Sequence, residues 1–468
     1  MNGGTPKVQS RLPCRLPERL AICYYGWDWS TSALPDEAYG DLDRALRETR
    51  ERGFNCIRPD LGLGLLYTPD GSRLGPVMFR ARLPGANSNM QCVDAKGGGV
   101  HDVWQRVMGL FELAEKHDLY IIGTSWLYQD LLTEVDDDAL RNALVSVPYN
   151  DRIAFLAREW DRLLTDLEAR GLHRRLAMVE VVNELDCTQI SAADSHAHIP
   201  PTYETWRDGT VPAAPPERQR EMARDAVAFL RERHPELLIT VDMGVAANLA
   251  PLAPDNVQVA DHHVYSQGIT MHIMAEAGVS PWGKHALPYD EDPFASANPV
   301  LRSLLKSEII SWSEINRRGK DTKPYWRRFA WFYQNVDQEE YDAWCLNHYG
   351  ECRERIRYSV EEGFRLGAEF ARSHGLPSVV DEGYIMFPPL RSRFLMTPEG
   401  RWGEEIGVNA AIAHGYWGIL PTGYFRPNTP IPWYDDSQCD WIAGQNGHIL
   451  SSGETPEPAG AGGARDPA

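Results

Sequence analysis

Two glutamates follow runs of apolar residues that predict buried β-strands. Glu184 comes after the run at 176–182, and Glu382 comes after a run that starts at Ser378. A carboxyl group that keeps its proton can act as a general acid, and a second one that stays ionised can act as a nucleophile. Such pairs cleave glycosidic bonds, and in a retaining reaction the two groups lie about 5 to 5.5 Å apart. Glu184 and Glu382 are therefore the predicted catalytic pair.

Three polar side chains near other predicted strand ends could support this pair. Arg58 could keep Glu382 ionised through a charge-assisted hydrogen bond, and Tyr265 could donate to the same carboxylate. Asn183 carries an amide that can contact a sugar hydroxyl. The same sequence also allows a purely structural interpretation, in which Arg58 pairs with Glu180 inside the fold.

The chain is rich in aromatic residues, with 15 Trp and 19 Tyr. Part of this aromatic content must have a use beyond the core, and flat indole faces suit the C–H faces of a pyranose. The residues predicted to bind substrate all fall near strand ends, and they are Trp27, Trp29, Arg58, Trp126, Asn183, His263, Tyr265 and Trp417.

Eight short apolar runs alternate with segments of helical periodicity, and these elements must position the site. The predicted strands are 20–25, 54–59, 119–123, 176–182, 237–241, 257–265, 378–384 and 415–420. The predicted helices are 41–52, 102–117, 151–170, 217–234, a segment near 300–316, 339–373, 403–413 and a short closing helix within 429–450. Gly350 and Gly363 are places where the longest helix could be interrupted. The alternation favours an α/β fold with parallel strands covered by helices.

Eight repeats favour a (β/α)8 TIM barrel over an open doubly wound sheet. No Gly-x-Gly-x-x-Gly turn follows the first predicted strand, which also argues against the open sheet. In such a barrel the carboxyl ends of all strands meet at one mouth, which gathers the residues named above.

The predicted organisation is a single barrel with additions. It comprises an irregular N-terminal arm at 1–18, the catalytic barrel at 19–450 and a disordered tail at 451–468. Long insertions at 59–100 and 266–336 follow predicted strands, and loops of this length are uncommon unless they serve a function.

Charge and composition narrow the class of partner. The net charge of −19 argues against nucleic acid and anionic membranes, whereas a neutral carbohydrate is compatible with it. No apolar stretch approaches the roughly 18 residues of a membrane span, and the first residues lack the apolar core of a signal peptide. Eight cysteines occur without a Cys-x-x-Cys pair, which is typical of free thiols in a reducing compartment. We expect a cytoplasmic protein that needs no cofactor.

Five segments resemble the signature of the retaining TIM-barrel glycoside hydrolases, and most closely the family-5 cellulase and mannanase group and its cellulase-like relatives. These segments are 53–58, 182–184, 263–265, 381–383 and 416–417, and the resemblance extends over roughly residues 20 to 425. The chain departs from the family-5 pattern at 124–126, where that pattern has a His, and at Leu185, where a Pro is usual.

The resemblance implies a role for each matching residue. Glu184 would be the acid/base and Glu382 the nucleophile of a double displacement on β-linked glucosides, mannosides or related oligosaccharides. By the same resemblance, Arg58 and the His263-x-Tyr265 segment support the nucleophile. Trp417 would form the platform under the sugar.

Two alternatives stay open from the sequence. A non-catalytic cellulase-like protein could keep the aromatic cleft only to bind sugar. A metal-dependent hydrolase could use Asp261-His262-His263 or His196-Ala197-His198, because His and carboxylate side chains at such spacing can hold a metal. Metal analysis of the purified protein separates the second alternative from the others.

Overall fold

A ring of parallel strands forms the centre of the computed structural model, which describes residues 12–81, 95–188, 190–266, 268–280, 291–384, 388–389 and 391–452. The strands are β1 (Leu20–Gly26), β2 (Cys56–Pro59), β3 (Tyr120–Gly123), β4 (Leu176–Glu180), β5 (Ile239–Thr240 and Asp242–Met243), β6 (Ala260–His262), β7 (Ser378–Val380) and β8 (Gly418–Ile419). The two edges of the sheet are the two halves of the broken strand β5. The ring therefore closes on itself, and the predicted (β/α)8 barrel is confirmed.

Two of the strands continue past the ring towards its carboxyl end. After β6 the chain forms Val264–Tyr265, and after β7 it forms Gly383–Tyr384, and these two short segments pair in parallel. The extensions carry the residues between them, His263 and Glu382, to the mouth of the barrel.

Sixteen α-helices are found in the described residues. They are α1 (Asp28–Thr31), α2 (Leu42–Glu51), α3 (Val103–Lys116), α4 (Asp138–Val145), α5 (Arg152–Ala169), α6 (Tyr203–Arg207), α7 (Pro216–Arg233), α8 (Leu249–Leu252), α9 (Ile269–Glu276), α10 (Pro299–Leu304), α11 (Trp312–Arg318), α12 (Pro324–Asn335), α13 (Gln338–His374), α14 (Pro398–His414), α15 (Pro430–Trp433) and α16 (Asp436–Ser451). Aspartate side chains cap the N-termini of several helices. Those of Asp41 and Asp102, for example, accept hydrogen bonds from the first turns of α2 and α3. No helix among the described residues is both long and apolar enough to cross a membrane.

Helix α13 runs without a break through Gly350 and Gly363, where the sequence allows an interruption. An added Cβ at Gly350 would meet open space, whereas at Gly363 it would lie 3.1 Å from a methyl carbon of Val264. Gly363 thus lets the helix approach the extension of β6. The helix ends at Gly375, whose φ of 63° is left-handed.

The region at 266–336 contains four helices, α9 to α12, which pack with α13 in one apolar cluster. The single helix predicted near 300–316 is wrong, because Ser311 starts a new helix by accepting from the backbone N–H of Glu314. The aromatic segment at 325–333 belongs to α12, and it buries Trp331 and Phe332 completely.

The insertion at 59–100 contains one small antiparallel hairpin between Val77–Phe79 and Gly99–His101, and residues 82–94 lie outside the described part. Helix α4 was not predicted.

Of the predicted N-terminal arm, residues 12–18 are described and form no helix or strand. Residues 1–11 and 453–468 lie outside the described part of the chain.

Candidate active site

The two predicted catalytic glutamates meet at the mouth of the barrel. One carboxylate oxygen of Glu184 and one of Glu382 lie within 4.8 Å of each other, and a ring nitrogen of His263 lies within the same distance of both. The Glu184 side chain is 13% exposed and the Glu382 side chain is 9% exposed, so both are largely shielded from water but remain partly accessible to solvent. Residues far apart in the chain therefore form one compact site.

Glu382 is held by two donors. An Nη1 hydrogen of Arg58 reaches its Oε1 over 2.6 Å, and the hydroxyl of Tyr265 donates to its Oε2. Hydrogen bonds to a carboxylate from a guanidinium are shorter and stronger than those between neutral groups. Glu382 is thus fixed with positive charge beside it, as an attacking carboxylate requires.

Glu184 has different surroundings. Its Oε1 lies 2.8 Å from Nδ1 of His263, and its Oε2 accepts a hydrogen bond of 2.6 Å from the side-chain amide of Gln129. Burial raises the pKa of Glu184, and although the interaction with His263 lowers it, the nearby Glu382 carboxylate raises it further. The net raised pKa favours a carboxyl group that keeps its proton, which is the requirement for a general acid.

The backbone at Glu184 takes a rare conformation. Its φ is +45°, in the left-handed region that non-glycine residues seldom adopt. The backbone N–H of Glu184 donates to Oδ2 of Asp242 over 3.0 Å, which helps to hold this turn. Strained backbone of this type is concentrated at functional sites, where it aims a side chain.

Arg58 is fully buried and contacts both of the partners that the sequence predicts for it, Glu180 and Glu382. It forms two hydrogen bonds to Glu180, of 3.1 and 2.6 Å, in addition to its bond to Glu382. Its Nε lies 2.8 Å from Asp381, and its guanidinium carbon lies 4.6 Å from the ring centre of Trp126. The predicted pairing with Glu180 and the predicted hydrogen bond to Glu382 are thus both present, and the role of Arg58 in a reaction stays a prediction.

Comparison with known proteins assigns the chain to a family. Residues 22–278, more than half of the chain, match the model of a family described as sugar-binding cellulase-like. The chain belongs to this cellulase-like family. A search of the curated proteins found no match.

One solved structure shows the same fold at low identity. A Parabacteroides distasonis protein that is provisionally described as a glycoside hydrolase is 15% identical, with a TM-score of 0.63, and the match covers 93% of this chain and 95% of that one. Two further matches are more distant. An exo-β-1,4-mannosidase from an Opitutaceae bacterium is 13% identical, with a TM-score of 0.47, and the match covers 96% of this chain and 63% of that one. A family 5 mannosidase from Rhizomucor miehei is 10% identical, with a TM-score of 0.42, and the match covers 93% of this chain and 94% of that one.

His263 is the centre of the charge network in this cellulase-like barrel. Its Nε2 lies 2.9 Å from Asp242, on the opposite side of the ring from Glu184. Burial acts to lower the pKa of His263, but the carboxylates of Asp242 and Glu382 outweigh burial and hold that pKa well above its usual range. The imidazole therefore carries a positive charge between the predicted catalytic pair and the carboxylates beneath it.

Two aspartates below the mouth have opposite protonation states. Burial acts to raise the pKa of Asp381, but Arg58 and His263 together outweigh it and bring that pKa to about 2. Asp261 is fully buried, and among the described residues neither of its oxygens has a hydrogen-bond partner. Burial, together with the charge of Asp381, raises the pKa of Asp261 well above its ordinary value. Asp381 is therefore ionised, and Asp261 keeps its proton.

We expect Asp261→Asn to stabilise the fold, and to do so more at pH 7 than at pH 4. Since folding raises the pKa of Asp261, the unfolded chain releases a proton above about pH 4 that the folded state retains, and wild-type stability falls as pH rises. An amide does not titrate, so this slope disappears. Urea unfolding from pH 4 to 7, with exposed Asp440→Asn as the control, measures it; parallel curves for wild type and Asp261→Asn would contradict the assignment.

The aromatic residues predicted to bind sugar separate into two groups. Trp126 and Trp27 lie side by side near the mouth, with ring centres 5.6 Å apart, and Trp126 also covers Arg58. Trp29 is completely buried, and its indole N–H donates to the backbone oxygen of Asp60 over 2.8 Å. Trp29 thus belongs to the core, and the prediction that it contacts substrate is wrong in this structure.

Trp417 lies at the opposite end of the barrel. Its backbone N–H donates to Ser378 and its carbonyl accepts from Leu20, which are the first residues of β7 and β1. Its indole N–H donates to the carbonyl of Pro17 in the N-terminal segment. Strand β8 begins only after Trp417, so this residue lies at the amino end of the strand. Its predicted role as a sugar platform is therefore wrong.

Two residues of the site were not among the predicted ones. Asp242 follows the predicted strand at 237–241 directly, so the rule that selected Glu184 could also have found it. Gln129 lies in the loop after β3, three residues beyond Trp126, and carries no sequence signal. Its hydrogen bonds to Glu184 and Asn183 appear only in the folded structure.

Two histidines of the alternative metal site contact other protein groups: His262 inside the barrel and His196 in a loop. Nδ1 of His262 lies 3.2 Å from the backbone oxygen of Val379, and its Nε2 lies 3.0 Å from the hydroxyl of Tyr416. Both of its ring nitrogens thus face protein groups. His196 lies in the loop between β4 and α6, with Ser195 at 2.8 Å.

Proposed function

We propose that this protein is a retaining β-glycoside hydrolase that uses Glu184 as acid/base and Glu382 as nucleophile. The observation that carries the proposal is the separation of the two carboxylates, whose nearest oxygens lie within 4.8 Å. Retaining enzymes place the two groups about 5 to 5.5 Å apart, whereas inverting enzymes leave about 6.5 to 9.5 Å for a water molecule. Membership of the cellulase-like family supports the same class.

The proposed reaction has two displacements. In the first, an oxygen of Glu382 bonds to the anomeric carbon while the glycosidic bond breaks and Glu184 gives its proton to the leaving oxygen. In the second, Glu184 takes a proton from water as the water oxygen attacks the anomeric carbon and the bond to Glu382 breaks. Both carboxyl groups return to their starting states.

Arg58, Tyr265 and Asn183 assist without changing covalently. Arg58 and Tyr265 hold the two oxygens of Glu382 in place. The oxygen of the Asn183 amide accepts from Arg58, and one of its N–H groups donates to Gln129. The second N–H of Asn183 is the group we assign to a hydroxyl of the bound sugar.

The proposed substrates are β-linked glucosides, mannosides or related oligosaccharides. An acidic protein is compatible with neutral sugars, and the buried ring of Trp126, which contacts Trp27, covers the guanidinium of Arg58 that holds Glu382. We place the reaction in the cytoplasm, because the cysteines within the described residues are unpaired, as a reducing compartment would leave them.

A 2-deoxy-2-fluoro glycoside with a good leaving group tests the proposal. The fluorine slows the second displacement, so the sugar should stay bound to Glu382, and peptide mass spectrometry should find the added mass there. Before labelling is attempted, the wild type should be shown to cleave aryl β-glycosides. A label on another residue would contradict the assignment of the nucleophile.

The second candidate is a non-catalytic sugar-binding protein, since the family description itself names sugar binding. Calorimetric titration with gluco- and manno-oligosaccharides, combined with product analysis, separates the two. Binding without any cleavage across the panel of aryl β-glycosides would favour this candidate, despite the presence of both glutamates.

We expect Glu184→Ala to slow cleavage in proportion to the leaving group's need for a proton. Loss of a general acid costs about 10²- to 10⁴-fold, and a leaving group of low pKa departs without that help. The first displacement should therefore slow much less for dinitrophenyl glycosides than for alkyl glycosides. Single-turnover rates across a leaving-group series measure this, and an equal loss for all members would refute the acid role.

A further inference from the structure

We propose that Gln129 is a positioning residue, which orients the acid/base through a directed chain of hydrogen bonds that starts at Arg58. This inference rests on the proposed function for its kinetic consequences, but its chemical core can be measured without turnover. The chain runs from Arg58 to Asn183, then to Gln129 and finally to Glu184.

The direction of every bond follows from the first. An arginine side chain has only donors, so the Asn183 atom that lies 2.7 Å from Nη2 of Arg58 must be its oxygen. Asn183 then presents its N–H group to the next residue, and the atom of Gln129 at 2.5 Å must be an oxygen as well. Gln129 is left with its own N–H pointing at Oε2 of Glu184, 2.6 Å away. Neither amide can be reversed without placing two donors against each other.

The consequence for Glu184 is that its Oε2 is held permanently as an acceptor. Its other oxygen faces His263, so the carboxyl plane is fixed from both sides. A hydrogen bond to the charged form of a carboxyl group favours that form. Gln129 thus opposes the effect of burial on Glu184 and favours the ionised state that must take a proton from water in the second displacement.

The position of Gln129 fits this role. It lies in the loop after β3, the strand on which the family-5 pattern has a His that this chain lacks, and it is only partly buried. Thr188 also approaches its oxygen, at 3.4 Å. Arg58 holds the nucleophile at the other end of the chain, so one continuous network sets the geometry of both catalytic carboxylates.

The test compares Gln129→Met, which keeps the approximate volume without the amide, with Gln129→Glu, which keeps the acceptor for Asn183 but places an oxygen against Glu184. Exposed Gln105→Met on α3 is the matched control. We expect kcat to fall on the order of 10²-fold in Gln129→Met with little change in KM, because a small misplacement of a catalytic group has such an effect. The basic limb of the kcat/KM profile should move to higher pH.

A ¹³C NMR titration of the glutamate carboxyls, with Glu184 assigned through Glu184→Gln, follows the same group without any substrate. We expect the pKa of Glu184 to rise in Gln129→Met and to rise further in Gln129→Glu. An unchanged titration and an unchanged basic limb, with only a lower Tm, would overturn it. A shifted titration in a protein that cleaves no glycoside would instead show that the proposed function fails while the hydrogen-bond chain holds.

Discussion

Glu382→Ala should abolish cleavage, with a loss on the order of 10⁴-fold or more, since removing one member of a catalytic unit removes most of its effect. Azide should restore part of the activity. The small anion fits where the carboxylate was and attacks the anomeric carbon from the same side, but the second displacement no longer follows. The product should therefore be a glycosyl azide of inverted configuration, which NMR spectroscopy identifies directly.

The fold should survive this substitution. Arg58 keeps Glu180 and Asp381 as partners, so no buried positive charge is left alone, and the Tm of Glu382→Ala should stay near the wild-type value. Glu354→Gln, at an exposed position on α13, is the matched control and should leave the rate unchanged. Full activity of Glu382→Ala would place the nucleophile elsewhere in the mouth.

The barrel could be predicted because its strands carry local signals. Each strand is a short apolar run between polar turns, and a closed ring of parallel strands brings their carboxyl ends together. That rule selected Glu184 and Glu382 without knowledge of any loop. The same rule fails for Trp417. The strand was predicted at 415–420, but the observed strand β8 is only Gly418–Ile419 and begins after Trp417. Misplacing the start of the strand put Trp417 at the wrong end of the barrel.

Features that depend on tertiary contacts could not be predicted in the same way. Gly363 normally weakens a helix, yet here it admits Val264 against α13, which the helical pattern alone does not reveal. Gln129 reaches Glu184 only because the loop after β3 folds over the end of β4. The sequence thus predicts the two carboxylates that meet at the mouth better than the groups that orient them.

Arg58→Met should lower the free energy of unfolding by about 3 to 5 kcal/mol at neutral pH, because it leaves buried carboxylates without their counter-ion. Arg58 is the fully buried cation that contacts Glu180, Asp381 and Glu382 together. Activity should be lost as well, since Glu382 then loses the donor that fixes its Oε1. Arg58→Lys keeps the charge without the planar fork and should fall between the two proteins in stability.

The pH dependence of this loss distinguishes charge from packing. The pKa of Asp381 is about 2 in the folded protein, below the ordinary value of 3.8, so its ion pair with Arg58 contributes stability above about pH 4, and that contribution disappears as pH falls through 2. The difference between wild type and Arg58→Met should therefore be largest at neutral pH and shrink in acid. Urea unfolding from pH 7 down to pH 3 measures it, with exposed Arg47→Met, expected to cost under about 0.5 kcal/mol, as the control. A difference that does not vary with pH would mean that Arg58 acts mainly by packing against Trp126.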